Sequence, residues 1–122
     1  MTAPAGVRPA RIALMNRVTT DGVVEYAPQD IQALLHESRI LLIDVREPDE
    51  YAMERIPGAL LYPLSTFDAA QLPAGELAIV FHCAAGGRSL TAARLRKATG
   101  HPAAHMAGGI TAWKALGLPT VS

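Results

Sequence analysis

The chain has a single cysteine, Cys83, in 122 residues, so no internal disulfide can form and the thiol stays available for chemistry. Net charge is missing as well. Eleven Lys and Arg offset eleven Asp and Glu, which leaves no global field to recruit nucleic acid or an anionic membrane surface. The first three charges, Arg8, Arg11 and Arg17, share one sign and read as a solvated tail rather than a binding arm. Long apolar runs are absent too: Ile12-Ala13-Leu14-Met15 is too short for the core of a secretory signal, and no stretch approaches the roughly 20 residues of a membrane span. There is no internal repeat. These absences predict a soluble cytoplasmic protein with no nucleic-acid or membrane partner. What is present, 50% hydrophobic residues, is ample for one core in one domain.

Residues 1 to 22 mix Pro, Gly, Ala and Arg without periodicity and read as an N-terminal extension, either disordered or packed on the domain formed by residues 23 to 122. Val23-Val24-Glu25-Tyr26 predicts a short strand, and Pro28 with Ile31, Leu34 and Leu35 predicts a helix. The run from Ile40 to Val45 is the strongest strand in the chain. Pro48 opens a short helix, with Asp49 and Glu50 where the helix dipole favours acids. Ala59 to Tyr62 predicts a further strand, and Pro63 to Gly75 a loop with at most one helical turn. Next come a strand ending at Cys83, a helix from Ser89 to about Thr99, a short strand at Ala104-His105-Met106, and a last helix carrying Trp113 as core packing. Strands alternating with helices predict a parallel sheet covered on both faces.

Cys83 stands where Ile79-Val80-Phe81-His82 breaks into Ala84-Ala85-Gly86-Gly87-Arg88-Ser89. Open α/β sheets bind ligands beyond the carboxyl ends of their strands. Gly86 and Gly87 let the backbone curl with its amides inward around an anion, and the helix that follows adds its amino end. Arg88 contributes positive charge there or clasps the loop's carbonyls. All of this favours an anionic sulfur over an inert buried thiol.

Leu42 through Tyr51, Ile56-Pro57-Gly58-Ala59, Cys83 through Ser89, and Gly108-Gly109-Ile110 with Trp113 and Gly117-Leu118-Pro119 resemble, in order and spacing, the rhodanese-like sulfurtransferase family. The resemblance implies a five-stranded parallel sheet in order 1-5-4-2-3 with flanking helices and the cysteine loop as active site. It also implies sulfane-sulfur transfer through a Cys83 persulfide with no cofactor or metal. The donor would be a small sulfur-containing anion such as thiosulfate, or a polysulfide, and the acceptor cyanide or a thiol. Cys83 and Arg88 are the catalytic candidates, and Ala84, Ala85, Gly86, Gly87 and Ser89 form the loop around the persulfide. Cysteine-dependent phosphatases close a wider ring, with five residues between cysteine and arginine; here there are four.

The chain departs from the family pattern in two places. Ala84 and Ala85 stand where thiosulfate-active members often have cations, which leaves room for a sulfur-relay or redox-sensing module fed by a protein partner, or for a non-catalytic interaction domain. Glu54-Arg55 replaces Gly-His before Ile56, and Arg55 is a candidate to restore charge near the loop. Asp44 and Arg46 are candidates to border the site, or to form with Glu50 an ion-paired fastening for the adjoining helix. His82 should face away from Cys83, since strand neighbours alternate. His101 and His105 cannot line up on one helix across Pro102, and too few ligands accompany them for zinc.

Overall fold

The computed structural model describes residues 16 to 122. Among these residues six strands form one sheet in the order β1-β2-β6-β5-β3-β4. They are β1 (Arg17–Val18), β2 (Val24–Tyr26), β3 (Ile40–Asp44), β4 (Leu60–Leu61), β5 (Ala78–His82) and β6 (Ala104–Met106). The helices are α1 (Pro28–His36), α2 (Pro48–Met53), α3 (Gly87–Lys97) and α4 (Gly109–Ala115). From β2 to β4 every pairing is parallel, and those five strands stand in the order the resemblance implies. The sixth strand was not expected. Arg17–Val18, placed in the extension on sequence, pairs antiparallel with β2, so the sheet is mixed rather than wholly parallel. Residues 1 to 15 of that extension lie outside the described residues.

Two layers cover the sheet, as alternating side chains require. Leu42, Val80 and Met106 pack on one face against Ile31 and Leu34 of α1 and Ile110 and Trp113 of α4. On the other, Ile43, Ile79 and Phe81 meet Ala92 and Ala93 of α3, with Leu64, Phe67 and Leu72 alongside. Each of the larger side chains sealed in this way contributes about 1.5–3 kcal/mol by leaving water. Trp113 is 1% exposed, and its Nε1 donates to Pro119 O at 2.8 Å, which satisfies its one polar atom. The loop after β4 holds two 3-10 turns, Leu64–Thr66 and Ala69–Gln71, where the sequence allowed one. Among the described residues no helix is long and apolar enough to cross a membrane.

Since β2, β6, β5, β3 and β4 run parallel, their carboxyl ends share one edge of the sheet. Val45, Cys83 and Ala107 leave it there, and the chain turns into the segments that build the site.

Candidate active site around Cys83

Cys83 follows the last residue of β5 and is 1% exposed. Gly86, with φ of 115°, adopts a conformation that a side chain would oppose, and this reversal starts α3 at Gly87, two residues before the predicted Ser89. The turn brings the Gly86 amide to 3.0 Å from Cys83 Sγ. Ser89 Oγ lies 3.6 Å from the sulfur. Burial works to raise the thiol pKa, but the Ser89 amide and hydroxyl, with the Gly86 and Ala85 amides, outweigh it and hold the pKa below the ordinary cysteine value. These amides and the Ser89 hydroxyl therefore favour the anionic form of the sulfur.

The far side of the loop rests on α4. Ile110 N donates to Cys83 O at 2.9 Å and Thr111 N to Ala84 O at 3.1 Å, so two loop carbonyls satisfy the first amides of that helix. Such an approach needs Gly109. A Cβ there would lie 2.3 Å from Cys83 O and 2.5 Å from Ala84 O, and its φ is 58°.

The charged candidates are arranged otherwise than the sequence anticipates. Arg88 does not clasp loop carbonyls: its Nη1 and Nη2 meet Glu50 Oε1 and Oε2 at 2.7 and 3.0 Å, and its charge stays within electrostatic reach of Cys83. Glu50 Oε1 also accepts from Glu47 N, closing the capping box of α2. Asp44 and Arg46 do pair, through Nε and Nη2 at 2.8 to 3.1 Å, but the Glu50 carboxylate is not part of that pair. Arg46 instead reaches Glu54 O at 2.7 Å and Glu50 O at 3.5 Å, fastening α2 by its carbonyls. Burial presses the Asp44 carboxyl upward, and the His82 ring and Arg46 overcome it, leaving the pKa well below the carboxylate range. The Arg46 contacts are the shorter, since His82 Nε2 is 3.4 Å from Asp44 Oδ2. His82 thus turns its ring to Asp44. Its Nδ1 reaches only the backbone oxygen of Cys83 at 3.2 Å. Arg55 does not restore charge at the loop; its guanidinium lies over the Tyr51 ring, 5.2 Å from the centroid.

The sequence reading missed two residues that the fold brings to the loop. His105 Nδ1 lies 2.8 Å from Ser89 Oγ, and His105 Nε2 lies 2.9 Å from Glu25 Oε2. The link depends on the register of Glu25 with His105 across β2 and β6, which no local pattern reveals. His101, by contrast, is exposed and pairs with the Thr99 hydroxyl.

The Rhodanese-like domain family model matches residues 27 to 116. An uncharacterized protein of Synechocystis is 40% identical over 105 residues, a match that takes in 84% of this chain and 59% of that protein. A protein of Allochromatium vinosum named sulfurtransferase is 33% identical over 94 residues, 75% of this chain and 87% of its own length. The crystal structure of a rhodanese-related protein from Thermoplasma volcanium matches with a TM-score of 0.71 over 81% of this chain and 96% of that one; at 24% identity this likeness is one of fold. The chain thus spans about three fifths of the Synechocystis relative and most of the Allochromatium one. The family match takes in every element from α1 to α4, and the chain belongs to the rhodanese-like domain family.

Proposed function

We propose that this chain is a sulfurtransferase in which Cys83 carries a sulfane sulfur as a persulfide. The observation that carries this reading is the pocket around Sγ, where the loop amides and the Ser89 hydroxyl offset burial and favour a thiolate. The thiolate attacks the outer sulfur of the donor and a new S–S bond forms. The donor's own S–S bond breaks, and the leaving group, sulfite in the case of thiosulfate, departs with the electron pair. A cyanide ion or a thiolate then attacks the outer sulfur and expels Cys83 as thiolate. The amides of Ala85, Gly86 and Ser89 turn toward the sulfur, and Ala84 and Gly87 complete the loop. Arg88 fixes the loop to α2 through Glu50, and Asp44 with Arg46 fastens the same helix from below. The reaction needs no metal or cofactor and suits the cytoplasm, where a free thiol stays reduced.

One observation favours a protein donor over a small dianion such as thiosulfate. Ala84 and Ala85 carry no charge, and the Glu50 carboxylate engages the Arg88 guanidinium, so the loop presents little to attract a dianion.

Intact-mass measurement after incubation with thiosulfate, and separately with polysulfide, tests the reading. Polysulfide should add one sulfur atom, thiosulfate should add less, and Cys83→Ser should add none while keeping its fold. No adduct from either donor would leave a protein-fed relay or a non-catalytic domain, and equal loading of a folded Cys83→Ser would remove Cys83 from the mechanism.

A further inference from the structure

Four side chains from separate segments form one hydrogen-bonded line beneath the loop. Cys83 Sγ is 3.6 Å from Ser89 Oγ, Ser89 Oγ is 2.8 Å from His105 Nδ1, and His105 Nε2 is 2.9 Å from Glu25 Oε2. Cys83, Ser89 and His105 are exposed by 1%, 0% and 2%, so water has little access to break any link. A carboxylate accepts and never donates, so Glu25 keeps a proton on His105 Nε2. In the neutral ring this leaves Nδ1 as an acceptor aimed at the Ser89 hydroxyl. The sheet register holds the arrangement: Arg17, Glu25 and His105 are direct neighbours across β1, β2 and β6.

We propose that His105, held by Glu25, takes up the Cys83 thiol proton through the Ser89 hydroxyl, so that both act as positioning residues for the nucleophile. The inference deepens the sulfur-transfer reading by saying where the proton goes. The S–H proton moves to Ser89 Oγ while the serine's own proton moves to His105 Nδ1. The S–H bond breaks, an N–H bond forms, the hydroxyl is regenerated, and the net charge of the cluster is unchanged. The product is an imidazolium between two anions, the thiolate and Glu25. With Nδ1 protonated, the Ser89 hydrogen turns to Sγ or to Gly86 O, which lies 3.1 Å away. The other nearby charges are engaged. Arg17 Nε meets Glu25 Oε1 at 2.8 Å, Arg94 on α3 pairs with Asp21, and Arg88 pairs with Glu50. Lys97, at the far end of α3, lies against Gly22.

The ultraviolet absorbance of the thiolate, read against Cys83→Ser, follows ionisation without any reagent having to enter the buried site. His105→Gln keeps polar atoms in place but has no basic nitrogen to take up a proton, and Glu25→Gln leaves the imidazole without its carboxylate. The ionisation midpoint of Cys83 should rise by about one pH unit in His105→Gln and by less in Glu25→Gln. Nitrogen NMR should show the His105 ring holding two protons while Cys83 is ionised at neutral pH, and one in Cys83→Ser. Should His105→Gln fail to fold, Glu25→Gln and the NMR comparison still decide. Unmoved midpoints in the folded variants, or a ring whose protonation ignores Cys83→Ser, would overturn the proposal. Sulfur loading reads the other hypothesis separately: a wild type that ionises through His105 yet takes no sulfur contradicts the persulfide and leaves this relay standing.

Discussion

Arg88 directly follows the cysteine loop, yet its partner lies 38 positions away at Glu50. Hydrogen bonds from Arg88 are the largest cause of the Glu50 shift, with burial opposing, and the carboxyl is pushed down to about 2 from an ordinary 4.5. Because the folded value lies below the unfolded one, the pair contributes stability above pH 4.5 that is lost as pH falls towards 2. At 1.36 kcal/mol per unit the full shift would be worth about 3 kcal/mol. Both side chains are about one-third exposed, at 35% and 33%, and solvent screening reduces the expected contribution to about 1 kcal/mol. Denaturant unfolding between pH 5 and pH 2 should therefore show wild type above Glu50→Gln at the upper end, with the two converging as acid is added. Parallel curves would show that the pair does not hold the loop to α2.

At the scale of elements, the contact between α4 and the cysteine loop is set by one missing side chain. Gly109→Ala would add strain from a positive φ and drive a methyl group into the carbonyls of Cys83 and Ala84. Gly117, with φ of 75° and nothing within 4 Å of where a Cβ would sit, isolates the first effect. Gly117→Ala should cost about 1 kcal/mol and Gly109→Ala about 3 kcal/mol in denaturant unfolding, the difference being the clash. Equal costs would mean that α4 yields easily. The elements most legible in the sequence are those whose signal is local. Ile40 to Asp44 and Ala78 to His82 are buried central strands and read as apolar runs, while Pro28 and Pro48 mark helix starts. A two-residue strand such as Arg17–Val18 has no room for a pattern. The curl at Gly86 was legible because it lies within three residues of Cys83. Glu50 and His105 were not, because pairing them with Arg88 and Ser89 requires knowing which elements become neighbours.

For the molecule as a whole, the strand order places β6 between β2 and β5, so the last strand of the chain sits between two that precede it. Glu25 and His105 are 80 positions apart, and the loop carbonyls of Cys83 and Ala84 await amides from Ile110 and Thr111. Non-local closure of this kind is slow, since the entropy of a long loop is lost before its contacts form. A fragment ending at Gly100 lacks β6 and α4, and its Cys83 should ionise like an ordinary thiol in an absorbance titration. A depressed midpoint in that fragment would show that the loop assembles alone. The insertion of β6 also bears on biosynthesis. Until β6 and α4 have been synthesised and have inserted, the emerging chain should carry its thiol in the unactivated form, because Ser89 has no His105 to meet and the loop carbonyls have no helix amides.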